Sequence, residues 1–297
     1  MLNYDEFKIE LLKRVREKAG SDVTVEIVAI QKNNRTKKDA IAFSDKENNL
    51  QPLIYMDSIY SQYCAGAELS VCVGFAVEVY RSAMEIDIDT AYKEWKNVRG
   101  KIEMTVINKA WNEDAMSGIP HMDFLDLVLY CRIIIDKNEN GVASMIVQKH
   151  MLKEWEISEE VLWETAFFNL KTEEFEIKDV NEVLRFIFPE GDLTGLSDKN
   201  KFEPAMYVLT NKYQNRGAIG MFRTDLLEKF ADWSGCDLYI LPCSIHEVLI
   251  LRDDEIPVDK LRRMVRSVNR GVVDDMDRLS DEVYYYKRGS GKLEIAA

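Results

Sequence analysis

Histidine is scarce in this 297-residue chain: His121, His150 and His246 are the only three. With no His-Glu-x-x-His run and no paired cysteine spacing, no dedicated metal centre is expected, and no cofactor motif is complete. The five cysteines, Cys64, Cys72, Cys131, Cys236 and Cys243, are odd in number and never form Cys-x-x-Cys. That pattern speaks against a disulfide framework and for reduced thiols in a cytoplasmic protein, four of them packing residues. Basic charge is in deficit as well. Lys and Arg total 39 against 52 Asp and Glu, a net charge of -13, which is the wrong sign for general phosphate neutralisation. General nucleic-acid binding and anionic membranes are therefore disfavoured. Long apolar runs are missing too: the richest stretches, 69–80 and 124–135, are broken by Glu78, Asp126 and Arg132 and fall short of the ~20 residues of a membrane span. The acidic opening residues lack the basic region of a secretory signal. With few prolines and glycines (6 and 14) and 46% apolar residues, the chain can bury enough surface to offset its conformational entropy, which excludes wholesale disorder.

What is present reads as mixed α and β. Asn3 is positioned to cap a helix that runs to about Ala19, with Phe7, Leu11, Leu12, Val15 and Ala19 on one face and Gly20 as its stop. Residues 23–30 and 39–43 are β-rich and flank the polar Asn33-Asn34-Arg35-Thr36 turn, so a hairpin is expected. Residues 69–84 satisfy both a strand and a helix period. Sixteen uninterrupted residues are long for a strand, and length favours a buried helix. Residues 101–108, 124–135 and 142–148 read as three strands, the last two joined by the turn residues 136–141. Ser158 caps a further helix that carries Glu159 and Glu160 in its first turn and faces Leu162, Ala166 and Leu170 inward.

The apolar pattern thins over 171–204, where Pro189, Gly191, Gly195 and Pro204 gather, and the domain plan expected is 1–180, a junction at 181–204, and 205–297. The last segment reads as ββαββα: strands at 206–210 and 218–222, a helix from Thr224 to Gly235, strands at 237–241 and 247–251, and a helix from Val258. A short strand pair at 283–286 and 292–295 follows. The fold class is α+β, two mixed domains with largely antiparallel sheets and flanking helices.

Tyr207-Val-Leu-Thr-Asn211, Gly217-Ala-Ile-Gly-Met221, Leu241-Pro-Cys-Ser-Ile-His-Glu-Val248, Met264-Val-Arg-Ser-Val-Asn269 and Leu279-Ser-Asp-Glu-Val-Tyr284 together resemble the domain of unknown function 5688 family of gut Firmicutes. Pro52-Leu-Ile-Tyr55, Pro120-His121 with Asp123 to Leu127, and residues 155–169 resemble its N-terminal half, so the likeness covers nearly the whole chain. The C-terminal order is also similar, more distantly, to the YtpQ-like uncharacterised family. The family pattern has Ser at the position of Cys243, which counts against an indispensable thiol there. The resemblance implies no particular chemistry.

Candidate site residues fall in three groups. Cys243, Ser244, His246 and Glu247 form the densest reactive cluster, at a turn entered through Pro242. A Ser244 or Cys243 nucleophile with His246 as base is one reading; a capped turn with His246 on a backbone carbonyl and Glu247 solvated is the other. Tyr55, His121, Asp123 and Asn211, polar residues within the family-like motifs, are ligand-binding candidates, and Asn112, Glu113, Asp114, His121 and Asp123 read as a polar loop able to supply acid and base groups. The helix from Val258 buries Leu261, Met264, Val265 and Val268 and leaves a basic face on which Arg262, Arg263 and Arg266 are partner-docking candidates. Gly217 to Gly220, after Arg216, lacks the spacing of a phosphate loop, and close backbone packing is the better reason for glycine there. The leading expectation is a binding or regulatory module for an unknown small molecule or protein. The alternative is a hydrolase-like enzyme at Ser244 or Cys243, and the oligomeric state is left open.

Overall fold

The computed structural model describes residues 1–45, 52–84, 92–138, 141–181, 205–253 and 256–297, and its contacts divide the chain into two compact units, Met1–Ala91 and Tyr92–Ala297. The architecture is α+β with several antiparallel sheets.

The first unit is built on α1 (Tyr4–Ala19), whose start is set by a reciprocal cap: the Glu6 amide donates to Asn3 Oδ1 at 3.0 Å and the Asn3 amide to Glu6 Oε2 at 3.1 Å. Phe7, Leu11 and Val15 recur on its inner face and are fully buried, each contributing about 1.5–3 kcal/mol of burial. Gly20, at φ 101°, ends the helix in a conformation that favours glycine. Strands β1 (Val23–Gln31) and β2 (Lys37–Asp45) form the expected hairpin, in register from Val23 opposite Asp45 to Gln31 opposite Lys37, and β3 (Leu53–Tyr55) adds a third strand. Two further helices, α2 (Met56–Cys64) and α3 (Leu69–Met84), complete the unit. The helical reading of 69–84 holds because Cys72, Val73, Ala76, Val77 and Tyr80 share one face, which joins Phe7, Leu11, Ile41 and Phe43 in a single core.

The second unit carries two antiparallel sheets. One joins β4 (Ile102–Asn108), β5 (His121–Phe124), β6 (Leu127–Asn138) and β7 (Gly141–Ile146), with the long β6 pairing with all three others. The strand expected at 124–135 begins at Leu127, and Phe124 closes the separate strand β5. Leu125, at φ 53°, reverses the chain between Phe124 and Leu127, a turn with no Gly or Asn to announce it. The other sheet has the order β13-β12-β10-β11-β9-β8, from β8 (Phe175–Asp179), β9 (Met206–Asn211), β10 (Leu238–Leu241), β11 (Val248–Arg252), β12 (Tyr284–Tyr286) and β13 (Leu293–Ile295).

β8 lies before the expected junction yet pairs along its whole length with β9 beyond it, from Phe175 opposite Asn211 to Asp179 opposite Tyr207. Most of 181–204 falls outside the described residues. The strand expected at 218–222 is a 3-10 turn, Gly217–Phe222. Helices flank the sheets: the short α4 (Trp95–Val98) and α5 (Lys149–Glu154), then α6 (Glu159–Thr172), capped by Ser158 as expected, α7 (Thr224–Ser234) and α8 (Val258–Gly271). On α8, Leu261 and Val265 are buried against Tyr239, Leu241, Leu251 and Val283. Among the described residues no helix is long and apolar enough to cross a membrane, and no group of three or more His, Cys, Asp or Glu side chains is arranged to hold a metal ion.

Candidate functional site

The turn between β10 and β11 is stitched to residues 277–280 by backbone hydrogen bonds: Ile245 N to Asp277 O at 2.8 Å, Leu279 N to Cys243 O at 3.1 Å and Ser280 N to Pro242 O at 2.9 Å. Its side chains are drawn into the same lattice. Ser244, 4% exposed, accepts from the His246 amide at 3.0 Å and also hydrogen-bonds the Glu247 carboxyl. The His246 ring has a neighbour at each nitrogen. Nδ1 accepts from the Arg216 amide at 3.3 Å, which requires the proton on Nε2, and Nε2 lies 3.3 Å from Asp277 Oδ1. That last contact is within ion-pair range but poorly directed, and Asp277 Oδ1 has no better hydrogen-bond donor.

Burial, with Glu247 and Asp281 nearby, pushes the Cys243 thiol up to about 12, so it is not a ready thiolate. Glu247 is half-buried rather than fully solvated, and burial raises its carboxyl above the ordinary glutamate range, against the opposing pull of His246 and Ser244. Among the described residues no hydrogen bond joins Ser244 Oγ to the His246 ring. The cluster is thus a capped turn in which His246 serves as acceptor for the backbone of Arg216.

That backbone leads to a second place. The segment after β9 is closed on itself by Asn211, which is 3% exposed: its Nδ2 donates to Asn215 O and to Glu173 Oε1, both at 2.9 Å, and its Oδ1 accepts from Asn215 N at 3.1 Å. Arg216 follows in the left-handed region at φ 54°, and Gly217 comes next. A Cβ on Gly217 would lie 2.6 Å from Asn211 N and 2.7 Å from His246 O as well as against Thr210 Oγ1, so close backbone packing is the reason for this glycine.

Arg216 extends onto one face of the first sheet, where Nη1 donates to Thr105 Oγ1 at 3.1 Å and to Tyr130 OH at 3.5 Å. Thr105 and Tyr130 are cross-strand partners, as are the neighbouring Glu103 and Arg132, so all four project from that face. The register shift between Ile134 and Asp136 then changes the alternation and turns Lys137 to the same side. Lys137 Nζ is 3.0 Å from Glu103 Oε1 and 4.0 Å from Glu173 Oε1.

Together Glu103, Arg132, Lys137, Glu173, Asn215 and Arg216 line a narrow cleft with Asn211 in its wall. About 10 Å³ of its interior is free, at the lower limit for one water. Burial raises the Glu173 carboxyl above the ordinary range and the charge of Glu103 adds to this, while Asn211, Lys137 and Arg223 pull it down.

The remaining sequence candidates are dispersed. Tyr55, in the first unit, bonds Lys32 Nζ through its hydroxyl while that ammonium sits 3.8 Å over its ring. His121 and Asp123 are not in a loop but on the exposed strand β5; His121 Nδ1 lies 2.8 Å from Ile119 O, and Asp123 pairs with Lys109 at 2.6 Å. His121 stands opposite Tyr130 and so shares the Thr105–Tyr130 row, although it does not line the cleft. Asn112 is buried in the 3-10 turn Ala110–Met116, where Nδ2 donates to Asn108 O at 2.8 Å. Arg262 is held by Glu282 at 3.1 Å and by Ala296 O at 2.9 Å, Arg266 reaches Glu282 at 3.6 Å, and Arg263 is exposed.

Of the residues expected from sequence, only Asn211 lies at the cleft, which is otherwise made by side chains not singled out as ligands. One signal was present: in the buried strand Ile-Glu-Met-Thr-Val-Ile-Asn, Glu103 and Thr105 put polar groups at a period of two on an otherwise apolar element.

No curated protein and no solved structure matches the chain. The model of the family of unknown function DUF5688 matches residues 4–288, and the chain belongs to that family.

Proposed function

We propose that this protein is a cytoplasmic ligand-binding module that takes a small polar molecule into the cleft of the second unit. The observation that carries this reading is convergence: side chains from β4, β6, the residue that follows α6 and the 211–216 segment all bring polar groups to one concavity. Concave sites with a few convergent polar groups and a carboxyl shifted by burial are where ligands are held. An origin in gut Firmicutes and the distant YtpQ-like kinship belong to the same reading and rest on the sequence resemblance. The hydrolase alternative has less support, since among the described residues no hydrogen bond joins Ser244 Oγ to the His246 ring, whose Nδ1 is taken by the Arg216 amide, and the Cys243 thiol is buried.

The test is a thermal melt of the whole protein against nucleotides, sugar phosphates, amino acids and organic acids, repeated with Asn215→Ala and with His246→Ala. A ligand at ~100 times its Kd stabilises by about 2.7 kcal/mol, a shift of a few degrees for a chain of this size. A shift that Asn215→Ala removes supports the cleft. Turnover of an ester or amide that His246→Ala abolishes, with no Asn215-dependent shift, would replace this reading with the hydrolase.

A further inference from the structure

We infer that the end of the ligand held in this cleft is an oxyanion, a terminal carboxylate or phosphate, taken by the guanidinium of Arg216 and the amide of Asn215. The inference rests on the binding reading above and deepens it.

The chief observation is a cation without a counter-ion. Other arginines in the molecule meet carboxylates: Arg223 holds both oxygens of Asp225 at 2.8 and 2.9 Å, Arg262 meets Glu282 and Asp259, and Arg14 meets Glu10. Arg216 is partly buried, yet among the described residues its guanidinium donates only to the neutral hydroxyls of Thr105 and Tyr130. Among the described residues no carboxylate lies within ion-pair distance of it. Removing a cation from water is unfavourable unless a partner compensates, and here Nε and Nη2 are left to find one.

A second donor stands beside it. Asn215 lines the cleft, but its hydrogen bonds among the described residues all use its backbone, so its side-chain amide is uncommitted. The charges of the walls point the same way. Lys137 and Glu103 form a pair, and Glu173 is biased toward its neutral form by burial, which leaves Arg216 uncompensated. The backbone that presents Arg216 adopts the left-handed conformation at both Gln214 and Arg216, which non-glycine residues rarely take, and the acceptor at His246 Nδ1 helps to hold it. A planar guanidinium matches carboxylate and phosphate oxygens alike.

The experiment is calorimetric titration and thermal melting of the full chain with inorganic phosphate, acetate, acetamide and ethylammonium at matched ionic strength. The wild type, Arg216→Gln, Arg216→Lys and Asn215→Ala are compared. Binding of phosphate or acetate but not of acetamide or ethylammonium is expected, with a loss of at least tenfold in Arg216→Gln, a smaller loss in Arg216→Lys and a severalfold loss in Asn215→Ala. Phosphate alone identifies a phosphorylated ligand and acetate alone a carboxylic acid. Asn215→Ala removes a side chain with no internal bond and keeps the test valid if Arg216→Gln folds poorly. Binding of the anions unchanged in both variants, or no binding of either anion to the wild type, overturns the inference. Asn215-dependent binding of acetamide or ethylammonium instead would overturn the anionic inference and leave the binding reading standing; no Asn215-dependent binding from any probe or from the wider panel would overturn both.

Discussion

The turn at 243–247 and the cleft around Arg216 are joined by the hydrogen bond from the Arg216 amide to His246 Nδ1 and by that from the Ala218 amide to Ile245 O, yet they use their polar groups in opposite ways. In the turn, a serine, a histidine, a glutamate and a thiol lie within five residues, and each is buried, bonded or both. In the cleft, a guanidinium and an amide from adjacent residues keep donors unspent. Reactive residue types close together in sequence can thus have their hydrogen-bonding capacity taken up by the fold itself, whereas these two cleft residues keep some of theirs. The turn supports, and the cleft is what it supports.

The largest effect should come from breaking the support. Gly217→Ala places a methyl against Asn211 N and His246 O, backbone atoms that cannot swing away, and should cost about 3 kcal/mol in urea denaturation. Gly220→Ala meets the ring of Phe175, its nearest carbon at 2.6 Å, which a side-chain shift relieves in part, and should cost less. Gly271→Ala, with nothing within 4 Å, is the control. Equal costs at Gly217 and Gly271 would mean that the turn yields and that the rigid-support account is wrong.

This contrast also shows what the sequence made legible. The helices α1, α3, α6 and α8 sit where apolar periodicity and caps placed them, because a stripe of Leu, Val and Phe beside Asn3 or Ser158 specifies both a face and a start. The edge strand β8 was hidden because Glu176 and Lys178 alternate with only Phe175 and Ile177, too weak a pattern to separate from a linker. The turn at Leu125 is marked in the sequence by Asp126 alone, because the residue at positive φ is a leucine. The stretch after Arg216 is apolar enough for a strand, but the close approach of Gly217 to two other segments imposes a 3-10 turn. The cleft was illegible for a different reason: its walls join Glu103 and Arg132 to Glu173 and Arg216 by tertiary pairing, and Lys137 faces inward only through a register shift.

A middle-sized effect is expected from the cleft's own carboxyl. Glu173 has a raised pKa in the native state, so its contribution to stability is fully present below the ordinary glutamate value and is lost as pH rises through the native one. In that window the native state keeps a proton that the unfolded chain has released. Glu173→Gln removes this contribution, so the fall in stability as pH rises above the ordinary glutamate value should become shallower by no more than about 1.4 kcal/mol per pH unit. Some slope should persist, because Glu247 is shifted in the same direction. Parallel curves for wild type and variant would show that Glu173 is not held neutral and would weaken the charge balance assigned to the cleft.

The smallest effect lies on α8, where the same distinction between spent and unspent groups separates neighbours. Arg262 donates to Glu282, Asp259 and the Ala296 carbonyl with a side chain 23% exposed, so Arg262→Ala should cost about 1 kcal/mol, most of it from the bond to the Ala296 carbonyl and from lost packing rather than from solvent-screened ion pairs. Arg263 is exposed, with no hydrogen bond or ion pair among the described residues, and Arg263→Ala should stay within about 0.5 kcal/mol. Of the three arginines proposed for partner docking, Arg263 is thus the one whose removal separates docking from folding. If Arg263→Ala destabilises as much as Arg262→Ala in a denaturant titration, an unspent side chain on this face is no sign of a free one, and the criterion that singles out Arg216 loses its force there as well.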